Sequence, residues 1–222
     1  ALLKTASGDT AASVAGILSW TIDEKGLDPL VAMLDGLRPA AKAAAIGVIG
    51  RRGGRRFAAR VLPLTSDANA EIRAAAFKAL AGVVGPDHLP ALLLMLDGRG
   101  ADGKATPLDD AALVADMQAA VVAAASQVTP DEARAKPVLA AMKAASHPDR
   151  FVDVLPQVGG REALAALVAL FEGANPALKD RAFRALVQWR GPEAAGRLFG
   201  IYADAGLRDQ AFAGFLRQVT YP

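Results

Sequence analysis

An all-α fold of stacked helix pairs is predicted by a recurring side-chain pattern, by the composition and by the glycines that punctuate both. The pattern is clearest in Glu71 to Gly85, EIRAAAFKALAGVVG. An apolar–basic dipeptide opens a helix, a small residue follows three positions after the basic one, and a second small and another apolar residue follow at six and seven. It occurs as Leu37-Arg38 with Ala41, Ala44 and Ala45, and as Ile72-Arg73 with Ala76, Ala79 and Leu80. It returns as Leu178-Lys179 with Ala182, Ala185 and Leu186, and as Leu207-Arg208 with Ala211, Gly214 and Phe215. Such spacing marks one face of a 3.6-period helix. Hydrophobic residues make up 53% of the chain and aromatics 5%, so the core must come from Ala, Leu and Val, which suits closely packed helices.

Taken in order, Ala1 to Thr5 read as the tail of a helix, as though the chain began inside a repeat. Asp9 then caps a helix through Val14, Ile17 and Leu18 to Trp20. A first kind of helix appears at Leu27 to Gly36, LDPLVAMLDG, and returns at Leu89 to Gly98, LPALLLMLDG, and at Leu164 to Gly173, LAALVALFEG. The second kind begins at the apolar–basic dipeptide and runs toward Gly50 or Gly85, read as C-caps. Between 56 and 64 a first-type helix is expected, with Pro63 near an end or kink. The loop GRGADGKATPLDD ends in a cap at Asp109 or Asp110, followed by a helix carrying Leu113, Met117, Ala120 and Val121. A helix from Thr129 or Asp131 to Ala145 is followed by a shortened one at Phe151 to Val158, interrupted by Pro156 and closed by Gly159-Gly160. Segments 162–172, 177–190, 192–205 and 207–219 complete the helices.

With no cysteine, disulfides, thiolate nucleophiles and Cys-ligated zinc are excluded. Long charge-free apolar runs are absent too, which argues against a membrane-spanning helix. Lys and Arg number 25 against 23 Asp and Glu, a net charge of +2, so a polyanion partner has to be argued from local clusters.

Two helices per repeat of about 30 to 40 residues, an acidic residue in the turn and a basic one opening the second helix, together resemble the HEAT repeat, especially the bacterial type named after phycobilisome lyases. The resemblance implies a right-handed α-solenoid of about six to seven helix pairs, one domain over 1–222, whose second helices line a concave face used for partners. It implies a non-enzymatic protein-interaction scaffold without cofactor. The partner would be another protein or other domains of the same parent chain, of which this segment is expected to be a part. An extracytoplasmic, periplasmic setting is compatible with the family, and the residues themselves leave the compartment open. The Ala-Phe pairs Ala76-Phe77, Ala182-Phe183 and Ala211-Phe212 should sit between layers. Acid–base pairs expected to form a ladder are Asp35 with Arg38, Asp67 with Arg73 and Asp204 with Arg208, each worth about 0 to 1 kcal/mol when exposed.

Candidate anion- or partner-binding residues are Arg51, Arg52, Arg55 and Arg56, flanking Gly53-Gly54 in RRGGRR with Arg60 beyond. A second basic group, Lys78, Arg181 and Arg184, lies on second-type helices. Each has a plain alternative as a solvated turn or helix face. Nucleic-acid recognition is the competing function, since a few HEAT-like bacterial proteins are DNA glycosylases that use groove Trp, Asp and Arg. Trp189 and Arg184 are the residues on offer here, with no evident acid. A lyase-like activity on bilins rests only on the repeat subtype's name. Gly98, Gly100 and Gly103 spell GxGxxG, and Gly98 to Lys104 spell GxxxxGK, but a helix precedes them and Ala105 follows the lysine, so a loop is expected. His88 and His147 lack ligand-spaced companions and predict no metal site. Trp20 and Trp189 share a repeat position and are expected in the core.

Overall fold

The computed structural model describes residues 8–23, 25–100, 108–204 and 206–220. In order the described α-helices are α1 Gly8–Thr21, α2 Leu27–Ala32, α3 Pro39–Arg52, α4 Ala58–Val61, α5 Ala70–Val83, α6 Leu89–Leu96 and α7 Ala111–Ala125. They continue as α8 Ala135–Ala144, α9 Asp149–Val152, α10 Leu155–Val158, α11 Arg161–Glu172, α12 Pro176–Val187, α13 Ala195–Ile201 and α14 Arg208–Thr220. The fold is all-α and of the α-solenoid class. Two compact units divide the chain, the first of Ala1–Leu92 with Leu108–Ala124 and the second of Leu93–Pro107 with Ala125–Pro222.

In the first unit α3 packs against α1 and against α5, and its register explains the small residues. Gly50 lies inside α3, not at its end as its C-cap, because the backbone of α5 passes directly over it. A Cβ on Gly50 would stand 2.6 Å from Ala79 Cα, and one on Gly82 would stand 1.7 Å from the Gly50 carbonyl oxygen. α3 therefore continues to Arg52 and is capped by Gly53, whose N–H donates to Ile49 O at 2.7 Å. Gly85 likewise does not cap α5. That helix ends at Val83, and Gly85 is extended backbone before the turn Pro86–His88.

Helix starts follow side-chain chemistry. The Asn69 side-chain Oδ1 accepts from Glu71 N and Ile72 N at the head of α5, Asn175 Oδ1 does the same for Ala177 N and Leu178 N at α12, and Asp110 Oδ1 accepts from Ala112 N and Leu113 N at α7. Asp9 lies within the first turn of α1. Residues 1–7, where a preceding helix tail is expected, and 101–107, which hold Gly103 and Lys104, lie outside the described residues.

Prolines break two helices. Around Pro63 the expected helix becomes a 3-10 turn at Arg55–Phe57, the single turn α4 and a second 3-10 stretch at Leu62–Ser66, since proline has no N–H for the α ladder. Pro156 likewise splits 149–158 into α9 and α10. The turn after α10 needs its two glycines, Gly159 at φ +74° and Gly160 at φ +88°.

In the second unit α12 packs on α11 and α14, and α13 on α14. The pattern positions are mostly core: Ala41, Ala45, Ala76, Leu80, Ala182, Leu186 and Ala211 are all at 0% exposure. Phe77 and Phe183 are buried as expected, but Phe212 is 42% exposed. α12 has α11 on one side and α14 on the other, and Phe212 on α14 rests against the Tyr202 and Phe215 rings. The shared tryptophan position also divides. Trp189 is buried, its Nε1 donating to Glu193 Oε2 at 3.1 Å, while Trp20 is 86% exposed. α1 buries Ala11 and Ala15, and at 3.6 residues per turn Trp20 points away from them.

Candidate partner-binding groove

α1, α3 and α5 run parallel. Near the starts of α3 and α5, Lys42 Nζ reaches Asp67 Oδ2 at 3.3 Å; near their ends Gly50 meets Ala79 and Gly82. The end of α1 is tied to the end of α3 where Arg51 donates from Nε and Nη2 to Ser19 Oγ at 2.9 and 2.6 Å. Their common outer side is a groove of about 480 Å³. α1 gives it Ala12 and Ala15, α3 gives Ala40, Ala43, Ala44, Gly47 and Gly50, and α5 gives Ala75 and Ala79. Its charged groups are Glu71, Lys78 and Arg51. The small residues have two effects: they let the helix backbones approach closely, and they leave the surface above without bulk.

Three further arginines of this unit tie one repeat to the one before it. Arg52 donates from Nε and Nη2 to Ile22 O at 3.2 and 3.1 Å, Arg56 pairs with Asp28 at 3.1 Å and lies over the Phe57 ring, and Arg60 pairs with Asp35 at 2.9 Å. With Arg51, these arginines reach partners 25 to 32 residues earlier, one repeat back. Arg55 lies alongside Gly85. Arg51, Arg52 and Arg56 of RRGGRR are thus tied to separate points of the preceding repeat, from Ser19 to Asp28, while Arg55 lies toward Gly85. In the second unit Arg181 does the same work, pairing with Asp153 at 2.9 Å and Asp149 at 3.7 Å, and Arg184 pairs with Asp180 on its own helix at 2.7 Å. Lys78 belongs to the first unit and these two to the second.

The expected ladder exists, with different rungs. Asp35 takes Arg60 instead of Arg38, and Asp67 takes Lys42. Arg73 instead reaches back over the first turn of α5 to the carbonyls of Asp67 and Ala68, both at 2.9 Å, where backbone oxygens ahead of the helix are open. Asp204 accepts from Gly206 N, and Arg208 lies over the Tyr202 ring. The Arg60 hydrogen bond holds the Asp35 carboxyl below its ordinary range, and the Asn69 N–H, followed by Lys42, does so for Asp67.

Glu71 and Lys78 differ from these. Among the described residues neither side chain enters an ion pair or hydrogen bond, although Lys78 lies in the field of Asp116 on α7. Burial pushes the Asp116 carboxyl above its ordinary value, and Lys78 pulls it partway back. A raised acid pKa means that the folded state loses stability as pH climbs through the carboxylate range and carries the full penalty at neutrality. Asp116→Asn is therefore expected to raise the urea midpoint at pH 7, with the gain shrinking to nothing below the ordinary aspartate range, as chemical denaturation at both pH values will show.

The groove was only partly legible in the sequence. Lys78 and Arg51 stand out as basic residues, whereas Ala44 and Ala79 read as repeat-pattern positions, Gly50 as a cap and Glu71 as an ordinary first-turn acid. The signal of the floor is a set of small residues at 40, 43, 44, 47 and at 75, 79, beside the core positions on the same two helices. His88 accepts from Gly85 N through Nδ1, and the His147 N–H donates to Asp97. Among the described residues no group of three or more metal-binding side chains occurs, and no helix is long and apolar enough to cross a membrane. Gly98, at φ +81°, turns the chain directly after α6, so a helix precedes the glycine motif, whose Gly103 and Lys104 lie outside the described residues.

None of the curated proteins matches the chain. Residues 27–105 match the family model described as HEAT repeats, a span that includes α3, α5 and most of the groove. Such repeats are generally non-enzymatic platforms for protein interaction. With helix pairs, inter-repeat ties and that match in agreement, residues 27–105 of this chain belong to the HEAT-repeat family.

Proposed function

We propose that the protein is an interaction scaffold that holds a segment of a partner protein in the groove of α1, α3 and α5. The observation that carries this is a contrast in charge use: Arg52, Arg56 and Arg60 are tied to the preceding repeat, while the groove presents Glu71 and Lys78 without such ties above an Ala and Gly floor. A volume near 480 Å³ accommodates several side chains of a docked segment. Helix-in-groove recognition needs a concave apolar floor with few polar groups at its edge.

Gly47 supplies the test. A Cβ there meets nothing nearer than Arg51 Nη1 at 3.9 Å, so a large side chain enters the groove without disturbing the core. Peptides selected from a display library against the intact protein are expected to lose binding at least tenfold to Gly47→Phe, read by fluorescence anisotropy. Selected peptides that bind the variant equally well would sink the proposal. Tight, salt-sensitive binding of duplex DNA in the same assay, unaffected by Gly47→Phe, would favour nucleic-acid recognition at the arginines instead.

A further inference from the structure

The groove has a direction. Because the three helices are parallel, Glu71 stands near their N-terminal ends, while Lys78 lies seven residues further along α5, roughly 10 Å away at 1.5 Å per residue. Arg51 is in the last turn of α3, at the same end as Lys78, and its guanidinium is held by a neutral hydroxyl, which leaves its charge unneutralised. One end of the groove is therefore acidic and the other doubly basic, separated by about two turns of helix.

From this polarity, and resting on the proposed function above, we infer that the groove's partner is an amphipathic helix laid antiparallel to α3 and α5. It carries acidic residues in its first turn, against Arg51 and Lys78, and a basic residue about two turns later, against Glu71. Two independent considerations agree on that orientation. Opposite charges meet at both ends, and a helix is itself favoured by acidic residues at its N-terminus and basic ones at its C-terminus. An antiparallel helix with ordinary end charges thus satisfies the groove and its own dipole together, whereas a parallel one would have to give up one or the other. Alanine and glycine on the floor let the incoming backbone settle close, so that its apolar side chains fill the space between the charged ends.

The test uses two helical peptides of identical composition and apolar face, one with Glu first and Lys two turns later, the other with these exchanged. Binding to the full chain is measured by fluorescence anisotropy. The Glu-first peptide is expected to bind about tenfold more tightly at low salt, with the difference shrinking as ionic strength rises. In the double variant Glu71→Lys with Lys78→Glu the preference should reverse. Both side chains are exposed and enter no ion pair or hydrogen bond among the described residues, and circular dichroism checks that the fold is retained with Lys78 removed from the field of Asp116. Equal binding of the two peptides, abolished by Gly47→Phe, would overturn the charge polarity and leave the groove standing as the docking site. Binding that ignores Gly47→Phe would overturn both. A preference for the Glu-first peptide that persists unchanged in the double variant would place its origin elsewhere and refute the inference, as would failure of the Glu-first peptide to bind.

Discussion

Gly82→Val is expected to destabilise the first unit by about 3 kcal/mol or more, the upper end of overpacking costs. The Cβ position at Gly82 lies 1.7 Å from the Gly50 carbonyl oxygen, which is backbone of α3 and has no rotamer by which to move aside. Relief requires α3 and α5 to separate, and that would open the packing of Ala41, Ala45, Ala76 and Leu80, all fully buried. Gly47→Ala is the matched control. It too is a glycine inside a helix, but it lines the open groove and its Cβ would meet only Arg51 Nη1 at 3.9 Å, so the substitution should stabilise by roughly 0.5 to 1 kcal/mol through helix propensity alone. Urea titrations followed by circular dichroism decide both. Equal and small effects of the two substitutions would mean that α3 and α5 are not held at this close crossing.

The same crossing shows which parts of the fold could be read beforehand. The 3.6-residue period marks core positions such as Ala76, Ala182 and Leu186 because each helix faces its neighbours in one register, and burial follows. What periodicity does not carry is the identity of the neighbour. Gly50 looks like a helix terminator until the backbone of α5 is placed over it, and Arg38 looks like the partner of Asp35 until Arg60, one repeat later, reaches the same carboxylate. Likewise the arginines of RRGGRR form a cluster along the chain, yet their partners at Ser19, Ile22 and Asp28 draw them apart in space. Local sequence could locate the charges of the groove, as it did Lys78 and Arg51. It could not reveal that Glu71 shares their surface, because that depends on the parallel register of two helices.

Phe77→Ala and Phe212→Ala occupy the same repeat position and should nevertheless differ severalfold in cost. Phe77 is 5% exposed, and its removal leaves a void in a core of Ala, Leu and Val that has few large side chains with which to refill it. About 3 to 5 kcal/mol is expected. Phe212 is 42% exposed and rests on Tyr202 and Phe215 with ring centroids 5.5 and 6.4 Å away. Water already reaches much of its surface, so truncation gives up only the covered part, about 1 kcal/mol, and leaves no enclosed cavity. Thermal or urea unfolding of the two variants in parallel separates two explanations of the Ala-Phe motif. If the pair acted through local helix formation, the two costs would be similar, because the flanking residues Ala76 and Ala211 are alike. A ratio of three or more shows instead that the phenylalanine matters through what covers it, so that one residue pattern stabilises a repeat in proportion to the neighbours stacked against it.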